Sequence, residues 1–251
     1  MAIVIHGPAE MAAMRRAGRV AAQTLRAVTA RIRPGICTAQ VDAWVRSDTA
    51  ARGARPSQLG YKGFPAAVCT SRNHVVCHGI PSPDETIDDG DIINVDVTSE
   101  FEGFHGDTSI TVCVGEPSPD ALHVVDVAQR GLAAGIAAVR PGGRLGDVGA
   151  AIEALARREG CGVVRQLGGH GIGRSMHMPP HVDHHGPAGR GPRLRPGMTF
   201  TIEPMITLGQ PRIEFLDDGW TVVTADGSPT AQFEHTVAVT ADGAEVLTRL
   251  E

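Results

Sequence analysis

Four carboxylates stand inside runs of apolar or β-branched residues, a costly place for negative charge. Ile92-Ile93-Asn94-Val95-Asp96-Val97-Thr98 alternates as a strand does, sending Ile93, Val95 and Val97 to one face and Asn94, Asp96 and Thr98 to the other. Residues 105–114 alternate likewise, with Asp107, Ser109 and Thr111 on a common face. A hairpin symmetric about Phe101 and Glu102 would set Asp96 directly opposite Asp107, with Cβ atoms about 5 Å apart. Glu203 lies within Phe200-Thr201-Ile202-Glu203-Pro204-Met205, and Glu234 within residues 231–239. Taken singly, Asp107 reads equally well as a turn residue, and Asp96 or Glu203 as a solvent-facing edge residue. Together they need an outside cation, because none of the four strands carries a Lys or Arg and a buried unpaired carboxylate is strongly penalised. Two divalent cations would balance the four acids. Oxygen donors with one imidazole suit manganese, iron, cobalt or zinc better than a thiolate site would. His170 is the expected imidazole. It lies in Gly168-Gly169-His170-Gly171-Ile172-Gly173, where small residues permit close approach, and the stretch lacks the GK[ST] of a phosphate loop.

Helices must hold these strands from outside. One is expected from Pro8 to about Arg31, stopping at Arg33-Pro34-Gly35, and a second from Thr38. A third, capped by Ser118, should run to Arg140-Pro141-Gly142, and a fourth should carry Leu145, Val148, Ile152 and Leu155. Strands are expected over Asp91–Thr98 and Met198–Ile206. Pro34 and Pro141, Gly90 and Gly197, and Asp96 and Glu203 are each separated by the same 107 positions. That common offset predicts an internal duplication: a single domain over 1–251 built of two α/β halves, about 8–115 and 116–251. A pseudo-two-fold axis would relate them, with strands at the centre and helices outside.

The remaining composition narrows the class. A formal charge of -5 argues against nucleic-acid and anionic-membrane partners. The apolar run at the start is too short for a signal peptide, and no stretch is long enough to cross a bilayer. Cys37, Cys69, Cys77, Cys113 and Cys161 are odd in number and never spaced CxxC, which predicts reduced thiols and the cytoplasm. His177, His181, His184 and His185 form a His-rich run expected to be a solvated loop.

Six motifs then occur in order: Cys77-His78-Gly79-Ile80-Pro81, Asn94-Val95-Asp96-Val97-Thr98, His105-Gly106-Asp107-Thr108-Ser109, Gly169-His170-Gly171-Ile172-Gly173, Phe200-Thr201-Ile202-Glu203-Pro204-Met205 and Gln232-Phe233-Glu234-His235-Thr236. In this the chain resembles the type 1 methionine aminopeptidases, from about Ala9 to Val246. The resemblance implies the α/β "pita-bread" fold with a pseudo-two-fold antiparallel sheet. It implies that Asp96, Asp107, His170, Glu203 and Glu234 hold two divalent ions, with Asp107 and Glu234 bridging. It also implies that His78 and His177 contact the substrate at the scissile bond, and that Tyr61, Phe64, Cys69, Met176 and Trp220 form the methionine pocket. Asn73-His74, Met176-His177-Met178 and Phe233 depart from the usual family pattern without removing an expected ligand. The absence of a long insertion and of an N-terminal extension matches the minimal bacterial form.

Two such ions would share a water and lower its pKa toward neutrality, with Glu203 as proton shuttle. The expected substrate is the N-terminal methionine of nascent chains, met transiently at the ribosome by a monomeric enzyme. Two rivals remain open here. One is a proline-specific peptidase of the same fold, which a peptide panel would distinguish. The other is a metal-free binding protein, which metal analysis would distinguish.

Overall fold

The computed structural model describes residues 2–250. Four helices form the outer layer: α1 (Pro8–Thr29), α2 (Thr38–Ala51), α3 (Pro119–Ala138) and α4 (Gly146–Arg158). Pro8 and Pro119 occupy first-turn positions, where a missing N–H costs nothing. The Ser118 hydroxyl accepts from the Ala121 amide at 3.2 Å, the cap expected from its sequence. Helix α1 ends at Thr29, two residues short of the expected Arg31. Thr38 is the first residue of α2 rather than its cap, which is Cys37.

The inner layer is a nine-stranded antiparallel sheet. Its labelled strands are β1 (Cys69–Arg72), β2 (Ile92–Phe101), β3 (Phe104–Cys113), β4 (Gly169–Gly171), β5 (Met178–Val182), β6 (Thr199–Ile202) and, after the short β7 (Met205–Thr207) and β8 (Thr230–Gln232) of a separate sheet, β9 (Glu234–Val239). The path across it runs β2-β3-β9-β6-β4-β5, with β1 also paired to β2. The expected alternation of β2 is borne out in the packing. Ile93, Val95 and Val97 sit in one apolar cluster with Leu25, Val28, Val41 and Val45 of α1 and α2. A second cluster joins Val124, Val127, Leu132, Val148 and Ile152 of α3 and α4 to Phe200, Ile202 and Val237. The polar face of each strand is thereby turned away from the helices. Two pairs of turns recur at the expected offset: Gly35 and Gly142 have φ of 88° and 82°, and Gly90 and Gly197 have 91° and 93°. The left-handed region at all four favours glycine.

Three expectations about the strands are corrected. The β2–β3 turn centres on Glu102 and Gly103, both at positive φ, so Asp96 pairs with Ser109 and Asp107 with Thr98. Asp96 and Asp107 are therefore diagonal neighbours, not opposites. They keep the same face because moving the turn centre by one residue changes the register by two. The span 198–206 is not one strand: it breaks at Glu203-Pro204 between β6 and β7. The span 231–239 breaks at Phe233 between β8 and β9. Both breaks fall at the same level. Ile202 pairs with His235 on one side and Met205 with Gln232 on the other, so Glu203 and Glu234 face each other where the two sheets part.

Candidate active site

The seam between β3 and β9 brings Asp96 and Asp107 together with Glu203 and Glu234. Only Glu234–Ser109 and His235–Thr108 pair across it. Threonine hydroxyls complete it. Thr236 accepts from the Asp107 amide at 3.0 Å and donates to the Asp107 carbonyl at 2.8 Å. Thr111 does the same for Gln232, at 3.1 and 2.8 Å. One sheet row therefore carries Cys69, Asp96, Ser109 and Glu234, with Glu203 beyond. Asp107 lies two residues along β3 on the same face.

His170 enters from β4. Its amide donates to the Thr201 hydroxyl at 3.0 Å, and its Nδ1 lies 3.1 Å from the Gly171 carbonyl. Its two neighbours must be glycine: a Cβ would stand 2.3 Å from the Thr201 carbonyl at Gly169 and 2.1 Å from the Pro179 carbonyl at Gly171. The GHG spelling is thus a close-approach requirement of this site. His170 Nε2 points at the acids, 3.6 Å from Asp107 Oδ2 and 3.7 Å from Glu203 Oε1. These exceed hydrogen-bond lengths. Donor atoms of Asp107, His170 and Glu234 lie within 4.8 Å of one another.

Among the described residues His170 is the only basic group within 4.0 Å of these carboxylates. Burial is the main cause that pushes all four upward: Asp107 to about 7, Glu203 to about 8, and Asp96 and Glu234 well above their ordinary values. Hydrogen bonds oppose this at two of them. The Thr98 hydroxyl donates to Asp107 at 2.7 Å, and that of Thr201 to Glu203 at 2.6 Å. Mutual repulsion adds to the shift at Asp96 and Glu234. Burial likewise lowers His170 to about 3, so its imidazole is neutral and free to ligate. Asp96 Oδ1 is buried without any hydrogen-bond partner. An orphaned carboxylate oxygen, a neutral imidazole and crowded acids with no cation among them fit divalent metal binding, and the oxygen-rich donor set suits manganese, iron, cobalt or zinc.

All twelve residues expected at the site line one cavity of about 260 Å³. Phe64 packs edge-on against Trp220 at 5.1 Å, and His78 approaches the same indole at 6.3 Å. His78 has φ of 57°, a strained position for a non-glycine residue that aims its ring into the cavity. His177 lies at the mouth, 4.0 Å from the His170 ring and 5.1 Å from Tyr61. Burial on its cavity side and the nearby His78 lower its pKa.

Several lining or supporting residues escaped sequence reasoning. Thr98 and Thr201 each lie two positions from an acid in sequence, Asp96 and Glu203, a usable signal. Gln232 donates to Glu203 at 3.2 Å, and Gln58 and Lys62 also line the cavity; neither spacing nor alternation points to them. The His-rich run is corrected as well. It is part strand, β5, and His184 is buried at 1% exposure rather than solvated. His184 Nε2 accepts from the Glu203 amide at 3.1 Å, satisfying an N–H released where Pro204 ends the ladder. Replacing His184 with Ala should cost about 1–3 kcal/mol, because that buried amide loses its acceptor. Metal affinity should fall by about 10–100-fold, as for other residues that support a ligand. Calorimetric metal titration and thermal melting read both; a variant matching the parent in each would exclude this role.

The chain matches the family model for metallopeptidase family M24 over residues 12–241. It is 51% identical over 239 residues to methionine aminopeptidase A of Synechocystis sp., covering 95% of this chain and 94% of that protein. The chain belongs to the methionine aminopeptidases of family M24. A methionine aminopeptidase of Escherichia coli is 44% identical over 250 residues, covering 99% of this chain and 94% of the relative. The crystal structure of methionine aminopeptidase from Rickettsia prowazekii superposes with a TM-score of 0.97 at 43% identity, covering 99% of this chain and 100% of that one. The curled antiparallel sheet with outer helices is accordingly the pita-bread fold of this family. Membership in a metallopeptidase family agrees with the carboxylate–imidazole cluster in requiring divalent metal. Among the described residues no helix is long and apolar enough to cross a membrane.

Proposed function

We propose that the chain removes the initiator methionine from newly made polypeptides by metal-assisted hydrolysis. Asp96, Asp107, His170, Glu203 and Glu234 would hold two divalent cations. The observation that carries this reading is the convergence, in one cavity, of five candidate metal donors with the apolar side chains of Phe64, Met176 and Trp220. When bound, such ions polarise the scissile carbonyl and acidify a water. Cobalt, manganese, iron and zinc all suit these donors.

The protein's own groups supply the rest. Glu203 takes the proton from the attacking water, held in place by Thr201 and Gln232. His177, at the mouth and neutral by desolvation, donates a hydrogen bond to the charge developing on the carbonyl or to the departing nitrogen. His78, fixed by its strained backbone, assists from the cavity wall. Phe64, Met176 and Trp220 with Tyr61 and Cys69 enclose the methionine side chain, and thioether–aromatic contacts favour sulfur there. Restriction to the first residue would follow from a free α-amine binding at the metal site. The catalytic unit is one domain of two halves, about 8–115 and 116–251. It acts as a monomer in the cytoplasm, meeting nascent chains at the ribosome. Five unpaired cysteines support a reducing compartment.

Release of methionine from Met-Ala-Ser, measured beside an Ala-Pro peptide, tests the activity. Cleavage of the proline peptide alone would overturn the assignment. In the same assay His177→Ala should retain both metals by elemental analysis while kcat falls by about 10²–10³. Unchanged turnover would remove His177 from the mechanism.

A further inference from the structure

Lys62 is the only lysine in the 251 residues; the other basic side chains of the Lys/Arg class, 22 of 23, are arginine. A chain that elsewhere uses arginine keeps its single ε-ammonium at the catalytic cavity. Its backbone is unusual too. Lys62 has φ of 47° and ψ of 28°, between Gly60 at φ 79° and Gly63 at φ 90°. Glycine would occupy that left-handed position without strain, so a side chain kept there points to a use for it.

The placement suggests the use. Lys62 Nζ lies 5.4 Å over the Tyr61 ring, which stacks at 5.1 Å on His177, itself 4.0 Å from His170. This row of rings leads from the metal-binding imidazole outward along the cavity wall, and Lys62 is its exposed outer end. Among the described residues no carboxylate lies within 4.0 Å of the ammonium; its neighbour is the Tyr61 face. An extended peptide advances about 3.3 Å per residue, so two to three residues leaving the scissile bond along this wall from His177 would reach the ammonium. With two divalent cations balancing the four acids, Lys62 carries the one formal side-chain charge left uncompensated among the described residues that line the cavity. That charge attracts an acidic side chain and not a neutral one of the same shape.

We infer that Lys62 determines specificity beyond the scissile bond, its ammonium recognising an acidic side chain two to three residues after the methionine. This rests on the aminopeptidase reading. Two isosteric peptides with blocked C-termini test it: Met-Ala-Asp-Asp-Leu-amide and Met-Ala-Asn-Asn-Leu-amide. The parent protein should favour the acidic peptide in kcat/KM by about two- to fivefold, the range of an exposed ion pair. The preference should shrink in about 0.5 M salt. Lys62→Arg should keep it, and Lys62→Gln should bring the ratio to one. Lys62→Gly should lose the preference as well while melting no lower than the parent, since the backbone strain is relieved, and this separates lost recognition from misfolding. Equal kcat/KM for the two peptides in the parent, or the same preference in Lys62→Gln, would overturn the inference while leaving the aminopeptidase activity standing. A parent that cleaves neither peptide nor Met-Ala-Ser would remove both.

Discussion

Asp107→Asn should abolish turnover of Met-Ala-Ser and deplete bound metal, yet leave the metal-free protein at least as stable as the parent. Asp107 is 5% exposed, faces Asp96 diagonally across β2 and β3, and lies 3.6 Å from His170 Nε2. Removing its charge takes away a donor on which the cluster converges. The loss in kcat/KM should exceed 100-fold, beyond the 10–100-fold that outer supporting partners cost. Asparagine retains an oxygen for the Thr98 hydroxyl, so the local hydrogen bond survives. Without metal the substitution also relieves repulsion among buried acids, which is why the chelated variant should not melt lower. Full metal content and full activity in Asp107→Asn would end the metal-site reading.

The chelated parent protein should lose stability as pH rises from about 5 to 8, and divalent metal should reverse the trend. Asp107 and Glu203 are pushed up to about 7 and about 8, chiefly by burial. Their unfolded values are near 4, so between those limits the folded state holds protons that the unfolded state has released. Stability contributed by the protonated acids is complete below the unfolded pKa and disappears as pH passes the folded one. The expected loss is at least about 1–2 kcal/mol, or roughly 5 °C of melting temperature for a chain of this size. Metal competes with those protons. Its stabilising effect should therefore grow with pH, reaching about 2.7 kcal/mol at a hundredfold excess over the dissociation constant. Melting curves across this pH range, with chelator and with manganese, provide the measurement. A chelated protein whose melting point rises from pH 5 to 8 would show that the acids are not held protonated.

The acids themselves were legible because a strand exposes its periodicity. Ile93, Val95 and Val97 on one side leave Asp96 on the other wherever the strand pairs, and the structure puts those valines and that isoleucine against α1 and α2. The GHG stretch was legible too, since its glycines answer to backbone carbonyls that a Cβ would strike. Partner identity was less accessible. The Glu102-Gly103 turn moved the hairpin register by two, which a sequence carrying Gly at only one central position did not announce.

By itself, then, the sequence determined which side chains share a face, where helices stop, and that uncompensated charge must meet a cation. These are local matters of period, capping and desolvation. Only the tertiary structure decided the rest: the threonine-closed seam that joins β3 to β9, the parted strands that set Glu203 against Glu234, His184 beneath the Glu203 amide, and Lys62 at the end of a row of rings. Each of these depends on contacts between residues far apart in the chain. Such contacts are selected by how the sheets and helices pack together, and no local pattern encodes that choice.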